Sequence, residues 1–202
     1  MNGIGAVLLA YLIGGIPFGL LVVRLMRGED IRQSGSGNIG ATNVSRVAGT
    51  TAGIVTLLLD AAKGWLAVWA ASYLTHGNLA WMSAAAFVVL VGHSFSIWLR
   101  LMDGHFSGGK AVASFLGAFG FLTPLPVLAV AIVFFIVVAT TRYVSLGSIC
   151  GAGLFPVACW MILHPDWPVL AAALAAGALV IWRHSANIHR IRAGEERVFG
   201  RK

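Results

Sequence analysis

Long apolar runs separated by short polar clusters set the frame of this chain. The runs cover residues 3–26, 49–73, 79–101, 111–122, 126–141 and 145–163, and a last stretch ends near His184. A bilayer crossing needs about 20 apolar residues, with roughly 17 to 25 tolerated. The pattern therefore predicts an all-α, polytopic membrane bundle of seven transmembrane helices in a single domain, residues 1–202. Turns fall at Thr75–Asn78 and His164–Trp167, and the paired prolines Pro124 and Pro126 break the chain between the fourth and fifth runs. The fourth run is the exception. It has only 12 residues, and extended back to Ser107 it reaches 16, about 24 Å of helix at 1.5 Å per residue. One short helix is expected there, with Gly108, Gly109 and Lys110 lying below the membrane surface at its start.

Composition supports this frame. Of the 202 residues, 58% are hydrophobic and 10% charged, with a mean hydropathy of +0.86, whereas a soluble domain carries about 25% charged residues. The first run is followed by Arg24 and Arg27 and has no basic segment before it, so it is expected to stay as a span rather than be cleaved. Cys150 and Cys159 lie nine apart in an apolar segment, a spacing that fits no metal or redox motif. No grouping of His, Cys, Asp and Glu has metal-ligand spacing, so neither metal nor cofactor is expected. No exposed basic domain for nucleic acid is present.

The charges then fix the sides. Thirteen of the 14 basic residues fall in one set of connections, and Lys63, inside the second run, is the exception. By the positive-inside rule that side is cytoplasmic, which puts the N-terminus outside and the C-terminus inside. A six-helix count would split the same charges between both sides.

Four polar clusters land on the basic side. The first, residues 34–46, reads SGSGNIGATNVSR. Its glycines, Gly37 among them, let backbone N–H groups approach an anion. Ser36 and Thr42 add hydroxyls, Asn38 and Asn43 add amides, and Arg46 adds a guanidinium suited to phosphate. The second cluster, Ser107 with Gly108, Gly109 and Lys110, opens a helix, where orphan N–H groups and a lysine also favour an anion. It is not a Walker A loop, which needs a longer glycine-lysine spacing after a strand. The third and fourth clusters contain Arg142 with Ser145, and Arg183 with His184 and Asn187. Arginines at a membrane edge are expected without any function, but His184 and Asn187 are spaced i, i+3 and share a helical face. Irregular backbone at membrane depth needs cover from protein or water, so the clusters are expected to line one pocket. Asp60 and Lys63, also i, i+3, read most simply as a mutual ion pair, and His93 as a satisfied interior histidine.

In this order the clusters resemble the bacterial acyl-phosphate:glycerol-3-phosphate acyltransferases over nearly the whole chain. GSGNIGATNVSR is similar to that family's first motif, SGGKAVAS to its second and RHSANIHRIRAGEE to its third. Ser145 of RYVS stands where the family has a site serine. The chain departs from the family at Ala111, where Gly is usual, and at Ser107, where Lys is common. The resemblance implies transfer of a fatty acyl group from acyl phosphate to glycerol 3-phosphate, giving lysophosphatidate and phosphate. It implies a multi-pass protein of the bacterial inner membrane with its site facing the cytoplasm. Its partners are then the two substrates and membrane lipid, with no obligate protein partner. It assigns Ser36, Asn38, Asn43, Arg46, Lys110, Ser145, His184 and Asn187 to the site. Within that set Arg46 and Lys110 are expected to hold phosphates, with Ser36 and Ser145 hydrogen-bonding them, and His184 with Asn187 to orient the glycerol hydroxyl. Either His184 or a substrate phosphate then takes the proton. Glu196 aligns with a family glutamate and reads as structural. The rival class is an organophosphate carrier, which also needs a short helix facing an anion. Against it stand the missing inverted repeat and the lack of basic residues on the outer side.

Overall fold

The computed structural model describes residues 3–200, and helices are their only regular elements apart from one isolated bridge between Ser96 and Ser107. The chain divides into two compact units at Leu122 and Thr123. The first contains α1 (Gly3–Gly15), α2 (Phe18–Arg27), a 3-10 turn (Ile31–Gln33), α3 (Ala41–Ala48), α4 (Thr50–Leu74), α5 (Leu79–Ser94), α6 (Ile97–Asp103) and α7 (Val112–Leu122). The second contains α8 (Pro124–Thr141), α9 (Val144–Leu163), α10 (Trp167–Arg183) and α11 (Ser185–Arg192).

Most runs become helices within two residues of their expected limits, and three expectations change. The first run is two helices, because Pro17 supplies no N–H to continue α1. The third run is not continuous from 79 to 101. Ser96 stops it by capping a new helix, its Oγ accepting from the Leu99 N–H at 3.2 Å and donating to the Gly15 carbonyl at 2.5 Å. Residues 41–48, expected as loop, form α3. Its sequence ATNVSRVA favours no helix by propensity, but Asn43 and Val44 are buried, so tertiary packing sets its shape. Val44 joins Leu20, Val23, Ile31, Ile39, Ala52 and Leu99 in one apolar cluster beneath the first polar segment.

Both breaks free backbone carbonyls, and side chains from elsewhere in the first unit satisfy them. The Tyr11 hydroxyl donates to Phe95 O at 2.8 Å, Lys63 Nζ to Ile16 O at 2.8 Å, and Trp98 Nε1 to Leu12 O at 2.9 Å. An apolar medium demands such partners, since no water is there to replace them.

Four helices are long and apolar enough to cross a membrane: Gly3–Arg27 taken through its bend, Thr50–Leu74, Pro124–Thr141 and Val144–Leu163. α10 and α11, bent by 55°, make a fifth when counted together. Length and composition thus support four or five crossings, against the seven expected. The shortfall lies in Leu79–Ser94, cut short by Ser96, and in Val112–Leu122, the short helix anticipated from the fourth run.

α4 and α7 pack backbone to backbone. A Cβ on Gly117 would stand 1.8 Å from Ala61 O, and one on Gly64 would stand 2.2 Å from Ser114 O. Small residues allow this approach in membrane helices, and it brings the charged pair of α4 beside Ser114 of α7. In the second unit α9 packs against both α8 and α10.

Candidate active site

In the first unit the polar segment of residues 34–46 is built around Asn43. Its buried Oδ1 accepts from the Ser36 N–H at 2.9 Å, and its Nδ2 donates to Ser34 O at 3.1 Å and Asn38 O at 2.9 Å. Asn38 Oδ1 in turn accepts from the Gly40 N–H at 2.8 Å. The Asn43 amide, expected as a ligand, is therefore committed to shaping the loop from within, and the Asn38 side-chain oxygen joins it. They leave Ser36, Gly37 and Arg46 exposed on its surface, with Thr42 half-buried in the first turn of α3. Gly35 and Gly37 hold φ of +64° and +72°, a conformation other residues rarely adopt, which lets the loop fold back on Asn43.

The second segment leads from α6 into α7. Gly108 is half-buried, Gly109 buried and Lys110 half-buried. Lys110 precedes α7 by two residues, and between them Ala111 holds φ +62°. Glycine adopts that left-handed conformation without a Cβ clash, which gives the departure at this position its physical content. Ser107 O accepts the Ser96 N–H at 2.9 Å, anchoring the segment to the break in the third run.

An ion-pair clasp that sequence reasoning missed joins the approaches to the two segments. Arg32 Nε lies 2.9 Å from Asp30 Oδ1, and Arg32 Nη1 donates to Asp103 at the end of α6. The Arg32 hydrogen bond holds the Asp30 carboxyl down at about 2, against the opposing effect of burial. Asp30 also caps the 3-10 turn by accepting the Arg32 N–H at 3.0 Å, and an aspartate two residues before an arginine at a turn start was the available signal. A cavity of about 340 Å³ opens here, lined by Gly37 and Ile39 of the first segment, Ser107 and Gly108 of the second, and the clasp residues. Two of the four predicted clusters thus reach one cavity within the first unit.

Deeper in this unit the expected ion pair is present. Lys63 Nζ lies 2.7 Å from Asp60 Oδ1, a contact held by charge rather than by a well-aligned hydrogen bond. His93 Nδ1 lies 3.3 Å from Ser114 Oγ and 3.6 Å from the same Asp60 oxygen.

In the second unit Glu196 organises the polar residues. Its Oε1 accepts from Ser145 Oγ at 2.8 Å and Asn187 Nδ2 at 2.7 Å, and its Oε2 from Arg190 Nε at 2.9 Å. Ser145 and Asn187, expected to face a ligand, are thus bonded to a buried carboxylate, in keeping with the structural reading of Glu196. The tail is also tied by the Phe199 N–H, which donates to Arg142 O at 2.8 Å. His184 sits buried at the joint of α10 and α11, its Nδ1 2.7 Å from Val180 O. A carbonyl only accepts, so Nδ1 carries a proton, and in the neutral ring Nε2 is the basic nitrogen.

Burial alone would raise the Glu196 pKa, but hydrogen bonds from Asn187, Ser145 and Arg190 outweigh it and hold the carboxyl below the usual glutamate range. A lowered folded-state pKa contributes stability above the unfolded value, and that contribution is lost as pH falls through the folded value. Wild-type protein is therefore expected to lose thermal stability on acidification below about pH 4.5. Glu196→Gln should start less stable and show a flatter acid limb. Parallel melting curves of the two proteins from pH 6 to 3.5 in detergent check this, and identical acid limbs would contradict it.

Residues 4–194 match the family model of glycerol-3-phosphate acyltransferase. The glycerol-3-phosphate acyltransferase of Desulforamulus reducens is 43% identical over 194 residues, covering 96% of this chain and 93% of the relative. The chain belongs to the glycerol-3-phosphate acyltransferase family. The family member of Trichlorobacter lovleyi is 46% identical over 192 residues, covering 94% of each chain. Among solved structures, the chain is similar to PlsY (YgiH), an integral membrane glycerol 3-phosphate acyltransferase. The PlsY form with glycerol 3-phosphate gives a TM-score of 0.90 at 33% identity, over 99% of this chain and 96% of that one. The lysophosphatidic acid form gives 0.88 at 32% identity, with the same coverage. The acyltransferase family thus matches both units along their length, and this chain is a multi-pass membrane protein.

Proposed function

We propose that this chain, read as one acyltransferase domain over residues 1–202, moves a fatty acyl group from an acyl phosphate to the sn-1 hydroxyl of glycerol 3-phosphate. The products are 1-acyl-glycerol 3-phosphate (lysophosphatidate) and inorganic phosphate, in the first step of bacterial phospholipid synthesis. The observation that carries this reading is the cavity shared by Gly37 and Gly108. Both substrates carry a phosphate, and two glycine-rich segments meeting at one cavity suit two anions. The relatives' glycerol 3-phosphate and lysophosphatidic acid forms fit the same chemistry.

An acyl phosphate is a mixed anhydride. The glycerol oxygen attacks its carbonyl carbon, the carbon–oxygen bond to phosphorus breaks, and phosphate departs with the electron pair. The leaving group is good, so positioning and charge stabilisation supply most of the rate. Arg46 and Lys110 hold phosphates, with the Ser36 and Thr42 hydroxyls donating hydrogen bonds and Gly37, Gly108 and Gly109 letting the backbone come close, while Asn38 and Asn43 keep the first segment in shape. In the second unit Ser145 and Asn187 serve as further polar contacts held by Glu196, and His184 Nε2 takes the hydroxyl proton. If it does, His184→Ala should remove a limb from the pH–rate profile, and a profile of unchanged shape would assign the proton to a substrate phosphate.

The charge distribution supports seven crossings, with α5 and α7 counted as spans, the N-terminus outside and the basic connections in the cytoplasm of a bacterial inner membrane. Thiol labelling of Ser36→Cys and Thr75→Cys variants from opposite sides tests that arrangement. The reaction is tested by purified protein in detergent micelles with acyl phosphate and radiolabelled glycerol 3-phosphate. Labelled lysophosphatidate is expected. Its absence, with intact folding, would overturn the proposal, because a carrier needs a sealed compartment and an enzyme does not.

A further inference from the structure

Gly108 and Gly109 lack side chains for a reason that lies behind them. A Cβ on Gly109 would sit 2.1 Å from His93 Nε2, and one on Gly108 would sit 2.3 Å from the His93 carbonyl oxygen. The Gly109 N–H donates to that same carbonyl at 3.1 Å. His93 therefore forms the floor of this segment with both its ring and its backbone.

The ring is itself braced from two other helices. Its Nδ1 meets Ser114 of α7 at 3.3 Å and Asp60 of α4 at 3.6 Å. Asp60 pairs with Lys63, whose Nζ reaches Ile16 O, at the bend between α1 and α2, at 2.8 Å. Asp60, Lys63 and His93 are only 2%, 3% and 3% exposed. A buried ion pair contributes little net stability, because desolvation cancels most of its attraction, and its best-attested use is to select one arrangement among several. Charged groups at membrane depth are likewise functional candidates. The arrangement selected here ends at the Gly108 and Gly109 backbone.

We propose that His93, braced by Asp60 and Lys63, is a positioning residue that sets the Gly108 and Gly109 backbone against a substrate phosphate. This rests on the acyl-phosphate reaction proposed above. An alanine at 93 removes the floor under Gly109, so the loop samples positions that hold phosphate less well while the chemistry itself is untouched. The expected signature is a rise in one KM with a smaller change in kcat, the mark of lost uniform binding.

The experiment uses the full chain in detergent, with acyl phosphate and glycerol 3-phosphate varied in turn and melting temperature measured alongside. His93→Ala is expected to raise KM for one of the two substrates about tenfold, leaving the other KM within about twofold. His93→Asn, whose amide nitrogen falls near the position of Nδ1, should recover most of the loss. Both KM values within about twofold of wild type would overturn the proposal. So would a general loss of kcat and melting temperature that His93→Asn fails to rescue. Should His93→Ala not melt cooperatively, Gly109→Ala decides: its methyl meets the imidazole, and the same selective KM shift is required of it. Wild-type protein that makes no lysophosphatidate sinks the acyltransferase reading, whereas active wild type with unmoved variants sinks only the role of His93.

Discussion

Lys110→Ala is expected to lose about two to three orders of magnitude in kcat/KM, the scale on which removing one preorganised donor from a developing anion acts. The lysine is half-buried, follows two glycines and stands two residues before α7, so its charge is screened less than that of a surface side chain. In the proposed reaction a phosphate held there faces the ammonium, the glycine backbone of the loop and the positive end of the helix together. Removing the ammonium takes away the only full charge of the three. Lys110→Arg should recover part of the activity, since the planar guanidinium keeps the charge but not the compact point geometry. Steady-state kinetics with both substrates varied checks this. A lysine that merely anchors the interface would change the rate by no more than about threefold, and that result would remove Lys110 from the site.

The second large effect concerns stability. Lys63→Met is expected to destabilise the protein by about 3–5 kcal/mol, because it strands the Asp60 carboxylate in a site that is 2% exposed. Two losses combine. One is the ion pair at 2.7 Å, and the other is the Lys63 hydrogen bond to Ile16 O at 2.8 Å, which leaves that carbonyl with the Phe18 N–H at 3.1 Å. The double variant Asp60→Leu with Lys63→Met separates them. Replacing both charges by apolar groups is often close to neutral, but the carbonyl at the α1–α2 bend loses its hydrogen bond from the ammonium, worth about 1.5–3 kcal/mol. The double variant should therefore recover part of the loss but not all. Melting curves in detergent give both numbers. A single variant as stable as wild type would mean that Asp60 finds water or sheds its charge when Lys63 is gone.

Apolar run length carried much of the fold. α4, α7, α8 and α9 begin and end within two residues of the expected limits, because Pro, Gly and polar turn residues punctuate them. The bends were harder to see. Pro17 lies in plain view, but Ser96 looks like any small polar residue in a greasy run until its partners, Gly15 and Leu99, are known. α3 was hidden for the same reason: burial of Val44 against residues far along the chain makes it a helix, and no local signal records that. The Asp60–Lys63 pair was legible because i, i+3 spacing leaves two opposite charges little choice.

The site divided along similar lines. Motif composition located the two glycine-rich segments, and the structure brings both to one cavity. Composition did not separate the groups that touch a ligand from those that build the loop. Asn43 has the chemistry of a phosphate ligand, yet its amide is committed to Ser34, Ser36 and Asn38. Arg32 read only as a marker of sidedness, whereas it clasps Asp30 and Asp103 across 71 positions of sequence. Contacts of that reach have no signature in spacing.

The bends in the first and third runs borrow their hydrogen-bond donors from other helices: Tyr11 serves Phe95, Ser96 serves Gly15, and Lys63 serves Ile16. Neither bent segment can therefore reach its final shape by itself. The donors that serve the first segment lie 47 and 81 positions further along the chain, so the carbonyls at its kink are fully satisfied only once those later segments pack against it.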